Sequence, residues 1–260
     1  MMRRDDFLPG LAVVSGAAQG IGAAVTLALA RARVPVAALD IQPLQHLAAE
    51  GDAAGLPLQT HVVDVADGEA VRAVVDRIEA LSGPIGMLVN VAGVLHLGDA
   101  LELSDADWLH CFAVNTHGVF HLSRAVAARM RARGTGSLVT VGSNAAAVPR
   151  TQMAAYAASK AAAHQFTRCL GLELAGQGIR CNIVAPGSTD TPMQRQLWTD
   201  AQARERILRG SLESFRTGIP LGRIAAPADV AEAVLFLLSN AARHVTLHTL
   251  SVDGGATLGI

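Results

Sequence analysis

Residues 155–160, AYAASK, hold the only tyrosine and the only lysine of a 260-residue sequence whose other formal cations are arginines. Tyr156 and Lys160 stand four apart, so on a helix both project from one face. A free phenol titrates near 10, too high for a base at neutral pH. An adjacent ammonium favours the phenolate, and lowering the pKa by about two is worth ~2.7 kcal/mol. Lysine suits the task because its charge is compact and can also donate to nearby hydroxyls, whereas arginine presents a broad planar fork. Charge or packing alone would not demand these two residue types, so the pair reads as acid/base chemistry.

A second signal is SGAAQGIG, residues 15–22, directly after an apolar run. Gly16, Gly20 and Gly22 fall at a strand-to-helix turn, where glycine permits positive φ and lets the backbone approach a pyrophosphate. The following helix offers unpaired N–H groups and the positive end of its dipole. Asp40 closes the next apolar run, 18 residues after Gly22. A carboxylate there accepts from adenosine ribose hydroxyls and repels a 2′-phosphate, and Ile41 and Gln42 supply no compensating arginine, which favours NAD over NADP. Asp64 and Val65 end the third apolar run, where Asp64 either meets the adenine edge or caps a helix.

The elements that must position these groups alternate along the chain. Candidate strands span 11–15, 35–40, 58–65, 85–90, 137–143, 180–185 and 249–252, with helical stretches such as 71–81 and 108–133 between them. Near-continuous apolar strands alternating with helices indicate a parallel sheet covered on both faces. The expectation over 1–260 is one α/β domain, a Rossmann-type doubly wound parallel sheet of about seven strands. Residues 191–223 interrupt the alternation with a helical insertion, placed where such sheets carry a ligand-covering lid. It holds six arginines (195, 204, 206, 209, 216, 223) against Asp200, Glu205 and Glu213. That is either a solvated face or a positive cover over an anion.

Hydrophobic residues make up 51% and charged residues 17%, enough for a large core, and the net charge of -1 argues against a nucleic-acid binder. Cys111, Cys169 and Cys181 lack metal-ligand spacing and read as small buried hydrophobes in a reducing cytosol. Residues 7–30 carry no charge, but Pro9, Gly10, Ser15, Gly16, Gln19, Gly20 and Gly22 interrupt them. They suit neither a membrane span nor a signal peptide, and a soluble cytoplasmic protein is expected. The histidines, His117 and His121 among them, show no metal spacing and read as packing or surface residues.

Gly-x-x-x-Gly-x-Gly together with Tyr-x-x-x-Lys resembles the short-chain dehydrogenase/reductase family, over essentially the whole chain. The likeness includes Asn90-Val91-Ala92-Gly93, Asn115 in a helix, Ser143 after the fifth strand and Pro186-Gly187 after the sixth. Val91 stands where many members have a second asparagine, a departure that touches no reactive group. The resemblance implies Tyr156 as general acid/base and Ser143 as hydrogen-bond partner of the substrate oxygen. Lys160 would orient the cofactor ribose and, together with an oxidised nicotinamide, lower the tyrosine pKa, and Asn115 would help hold a water-linked proton path. It implies an NAD site built from Gly16, Gln19, Gly20, Ile21, Gly22, Asp40, Asp64, Val65, Asn90, Ala92, Gly93, Tyr156, Lys160, Pro186, Gly187 and Thr189. It also implies a homotetramer pairing the Asn115 and Tyr156 helices. Singly, Ser143 could cap a loop, Asn115 could satisfy backbone, and Tyr156 with Lys160 could be a surface contact. A non-catalytic NAD-binding module would be expected to lack part of this set of four, and none is missing.

Longer stretches, GLELAGQGIRCNIVAPGSTDTPMQRQLW and GIPLGRIAAP among them, are similar to family members that oxidise a cyclohexadiene carboxylate of the 2,3-dihydro-2,3-dihydroxybenzoate type with NAD. In those proteins the C3 ketone enolises to an aromatic ring in catechol-siderophore biosynthesis. The resemblance implies a small anionic substrate met by Ser143, Asn144, Arg150, Met193 and Gln194. Arg150 either pairs with its carboxylate or lies at the surface. Oxidation of trans-2,3-dihydro-3-hydroxyanthranilate shares the reacting carbon, carboxylate and aromatisation, and stays open because Asn144 can donate or accept. Asp40 and the short lid count against a reductase of oxoacyl thioesters or sugars.

Overall fold

The computed structural model describes residues 2–198 and 202–258. Seven strands form one parallel sheet: β1 (Leu11–Ser15), β2 (Val36–Asp40), β3 (Leu58–Val62), β4 (Ile85–Asn90), β5 (Gly136–Val141), β6 (Ile179–Pro186) and β7 (Thr249–Val252). Their spatial order, β3-β2-β1-β4-β5-β6-β7, reverses direction between β1 and β4, the switch point at which doubly wound sheets bind ligands. β1, β4 and β5 are buried at every position, as their unbroken apolar runs require.

The helices are α1 (Gly20–Arg31), α2 (Gln45–Ala53), α3 (Gly68–Ser82), α4 (Asp105–Phe112), α5 (Val119–Arg133), α6 (Ala154–Ala175), α7 (Pro192–Arg195), α8 (Ala203–Arg209) and α9 (Pro227–Leu238). α3 shows why such segments fold as they do. The Asp67 carboxylate accepts from Glu69 N and Ala70 N, and Val71, Val74, Val75 and Ile78 recur on one face. That face joins Leu122, Val126 and Leu174 on one side of the sheet, while Val25, Leu29, Val230 and Val234 of α1 and α9 cover the other. No helix among the described residues is long and apolar enough to cross a membrane.

Several boundaries differ from the sequence expectation. β3 stops at Val62, and Asp64 beyond it accepts from Ala66 N in a turn; the cap of the next helix is Asp67. β5 ends at Val141, leaving Ser143 in a loop. The helix expected over 108–133 is α4 and α5 joined by a π-turn, Ala113–Gly118. Among its described residues the insertion at 191–223 holds the short helices α7 and α8, turns and one antiparallel bridge, Ser211 to Arg216, and its residues 199–201, Asp200 included, lie outside the described residues. Cys111 and Cys181 are buried as expected, but Cys169 is exposed on α6.

Candidate active site

A cavity of about 580 Å³ opens over the carboxyl ends of the strands. At one end lie Gly16, Gln19, Gly20, Ile21, Gly22, Asp40, Asp64 and Val65; Ala92, Gly93, Pro186, Gly187 and Thr189 line its middle. Gly16 and Gly20 take positive φ, at 67° and 56°. A Cβ on Gly16 would lie 2.6 Å from Ala92 N, and one on Gly22 would lie 1.9 Å from Gly16 O. The loop is thus pressed against the β4 loop and α1, leaving a cradle bare of side chains. Gln19 caps α1 without a side-chain hydrogen bond, and the first turn holds no acid. Its N–H groups and dipole remain available to an anion. Asp40 braces the loop by accepting from Ala18 N (2.9 Å) and Gln42 N (2.8 Å). Bare cradle, uncapped helix start and adjacent carboxylate fit a dinucleotide.

Asn90 and Asn115 lie behind the lining. Asn90 Nδ2 donates to Ser123 Oγ at 3.0 Å under the sheet end. Asn115, 0% exposed in the π-turn, accepts from Val94 N (2.8 Å) and donates to Val94 O (3.0 Å) and Ser159 Oγ (2.9 Å). Its amide is therefore occupied in clamping the loop after Gly93 to α6. A Cβ on Gly93 would meet Asn115 Oδ1 at 3.1 Å and Lys160 Nζ at 3.3 Å, so both side chains converge on that glycine.

Tyr156, Lys160 and Ser143 share the far wall. Lys160 is 6% exposed, donates to Val141 O at 3.1 Å and lies 5.9 Å from the Tyr156 ring centroid. Burial pushes its pKa down to about 8. Burial raises the Tyr156 phenol above its ordinary value, with Cys111 adding to the rise and the Ser143 hydroxyl partly opposing it. Among the chain's own groups desolvation dominates, and the expected lowering counts also on an oxidised nicotinamide.

Two histidines not singled out by spacing complete this wall. His164, eight residues after Tyr156 on the same helical face, accepts from Ser143 N through Nε2 at 3.3 Å. A Cβ on Gly142 would lie 1.7 Å from that nitrogen, so the glycine exists to admit the ring. Burial, then the charges of Lys160 and Arg168, push His164 down to about 4, leaving it neutral. His110 lines the cavity, its Nδ1 3.0 Å from His96 Nε2, and His96 Nδ1 lies 3.1 Å from Asp107 Oδ1. The i, i+8 spacing could have revealed His164; the His110 chain joins two segments that no local pattern links.

Asn144, Arg150, Met193 and Gln194 line the same end. Asn144 Nδ2 is tied to Thr257 Oγ1 (3.0 Å) and Asp253 Oδ2 (3.3 Å). Gln194 Nε2 is buried without a hydrogen-bond partner, an orphan donor at the cavity edge.

The family model described as enoyl-(acyl carrier protein) reductase matches residues 16–257, from the glycine loop past β7. The chain belongs to the short-chain dehydrogenase/reductase family. Among members of this family, the chain is 54% identical over 252 residues to the 2,3-dihydro-2,3-dihydroxybenzoate dehydrogenase of Bacillus subtilis (strain 168), covering 96% of this chain and 97% of that one. It is 46% identical over 246 residues to the protein of the same name from Escherichia coli (strain K12), covering 95% and 96%. A gluconate 5-dehydrogenase from Burkholderia cenocepacia J2315, solved in complex with NADP and tartrate, superposes with a TM-score of 0.90 at 32% identity, covering 98% of each chain.

Proposed function

We propose that this short-chain dehydrogenase oxidises the C3 hydroxyl of 2,3-dihydro-2,3-dihydroxybenzoate with NAD, the ketone then enolising to aromatic 2,3-dihydroxybenzoate for catechol-siderophore supply. The observation that carries the reading is the 54% identity, over 96% of the chain, to a dehydrogenase of that name.

The bare cradle and the start of α1 would hold the diphosphate of the dinucleotide, and Asp40 its ribose hydroxyls, a carboxylate that repels a 2′-phosphate. NAD bound there would supply the hydride acceptor for C3 and a positive charge beside the phenol. Ser143, its loop fixed by His164, and Tyr156 receive the C3 oxygen between their hydroxyls. Tyr156 takes the hydroxyl proton as the carbonyl forms, a transfer that succeeds only when nearby positive charge offsets the burial that favours the phenol. Lys160 supplies part of that charge and reaches for ribose hydroxyls, while Asn115 holds the loop against which Lys160 rests. Arg150, Asn144, Met193 and Gln194 hold the ring and carboxylate, and residues 191–223 act as the lid. The family resemblance carries a homotetramer with it, and light scattering should give four times 26.9 kDa.

The deciding assay is NADH formation with trans-2,3-dihydro-2,3-dihydroxybenzoate and trans-2,3-dihydro-3-hydroxyanthranilate in parallel. A higher kcat/KM for the diol is expected. Preference for the amino alcohol would overturn the C2 assignment, and turnover of neither would leave only the family.

A further inference from the structure

The arginines of the lid divide by what they touch. Arg195 donates to Asp190 (2.7 Å), Arg209 pairs with Glu205, and Arg223 meets Asp229 through two hydrogen bonds of 2.6 and 2.8 Å. Arg216 has no carboxylate within ion-pair distance among the described residues. Its side chain enters the cavity wall, with Nη2 4.0 Å from Met153 Sδ, at the residue that begins the Tyr156 helix. Arg150, on the β5–α6 connection, lines the same space and likewise lacks an ion-pair partner there. Asp253, the acid nearest in effect, is occupied by Asn144 Nδ2 and by Gly255 N at 3.0 Å. Burial lowers the pKa of both guanidinium groups, and the charge of Arg150 lowers that of Arg216 further. Among the described residues, two like charges are thus held beside one cavity with no ion-paired acid, and Gln194, whose buried Nε2 has no hydrogen-bond partner, lines the same cavity. Such an arrangement costs free energy until an anion enters.

The placement of Arg216 is built into the backbone. Ser211 and Arg216 exchange hydrogen bonds, each N to the other's O at 2.9 Å, closing a hairpin. Gly210 and Gly218, at φ 85° and 80°, sit where a Cβ would lie 2.3 Å from Arg216 O and 2.5 Å from Leu208 O respectively. Phe215, in the left-handed region at φ 54°, turns the chain immediately before Arg216. A solvated arginine would need none of this.

We propose that Arg216 is the second arm of a carboxylate clamp, gripping the substrate carboxylate together with Arg150 so that the anion ties the lid hairpin to the β5–α6 connection. This rests on the carboxylate substrate proposed above and deepens it by naming the lid residue that reads the charge. Without that anion, the lid lacks its link to Arg150 and the two guanidinium groups repel each other.

The test uses two aromatic ligands that differ only in the carboxylate, 2,3-dihydroxybenzoate and catechol, titrated by calorimetry into the full-length protein with NADH. Wild type should bind the carboxylate ligand more tightly. Arg216→Ala should weaken 2,3-dihydroxybenzoate roughly 10–100-fold, the range for a charged hydrogen bond, and leave catechol within about twofold. Arg216→Lys should recover part of the loss, and in turnover the effect should fall on KM more than on kcat. Equal weakening of both ligands, or an unchanged affinity for 2,3-dihydroxybenzoate, would overturn the clamp while the substrate reading stands. Wild type binding catechol as tightly as 2,3-dihydroxybenzoate would overturn the carboxylate reading, and the clamp with it.

Discussion

The phenol of Tyr156 loses hydration at the cavity wall, and burial holds its pKa above the ordinary 10. In the proposed reaction, its conversion to a base therefore depends on charge that arrives with the cofactor. Tyr156→Phe should lower kcat by about 10²–10⁴-fold while leaving NAD affinity, read by fluorescence titration, nearly unchanged. His164 makes a second residue-scale prediction, through stability. Its folded pKa is about 4 against an ordinary 6.5, so between those values the unfolded chain binds more protons. Its contribution is complete above about pH 6.5 and is lost as the pH falls toward 4, by ~3 kcal/mol. His164→Gln, which keeps an acceptor for Ser143 N, should flatten that limb in urea unfolding. An unchanged slope would assign the acid sensitivity to other groups. Tyr156 and Lys160 were legible because each is the sole residue of its type. The direction of the phenol shift was not, because desolvation depends on which distant segments close around the ring.

At the scale of elements, all seven strands were legible, the buried central ones from their near-continuous apolar runs and the less buried β3 and β7 from their place in the alternation with helices. The π-turn at 113–118 was not legible: its residues continue a helical pattern, and only the clamp between Asn115 and Val94 reveals its purpose. The lid was read as more helical than it is, because arginine and leucine favour helix locally while Gly210 and Gly218 impose a hairpin. The glycine loop yields the sharpest test here. A methyl group on Gly22 would meet the backbone at Gly16 O, which cannot swing aside as a side chain would. Gly22→Ala should cost about 1–3 kcal/mol of stability and weaken NAD at least tenfold, on the order of 1.4 kcal/mol. Retention of wild-type NAD affinity would mean that the loop is not the phosphate cradle.

Across the whole molecule, Arg180 ties β6 of the sheet to the end of the helix α9 that covers one face of it. From β6 it donates to Leu237 O (2.6 Å), Leu238 O (3.1 Å) and Ser239 O (3.2 Å) at the end of α9. These are the carbonyls a helix leaves unpaired, and a cation is favourable there. Arg180→Met should destabilise the fold by about 2–4 kcal/mol, a fall in Tm on the order of 5–10 °C, with kcat unchanged at low temperature. A differential scanning measurement showing no shift would reduce the contact to a surface detail. Neither Arg180 nor Arg216 stands out from twenty arginines in a linear reading, because the carbonyls and cavity that give them meaning lie dozens of residues away.

The solitary lysine also governs how the protein meets reagents. Apart from the amino terminus, acylating chemistry finds one amine in the chain, and it sits in the cleft with its proton half lost at about pH 8. A small acylating agent that enters the cleft should modify this lysine, abolish turnover and be slowed by bound NAD, so peptide mapping of the one acylated lysine counts functional sites.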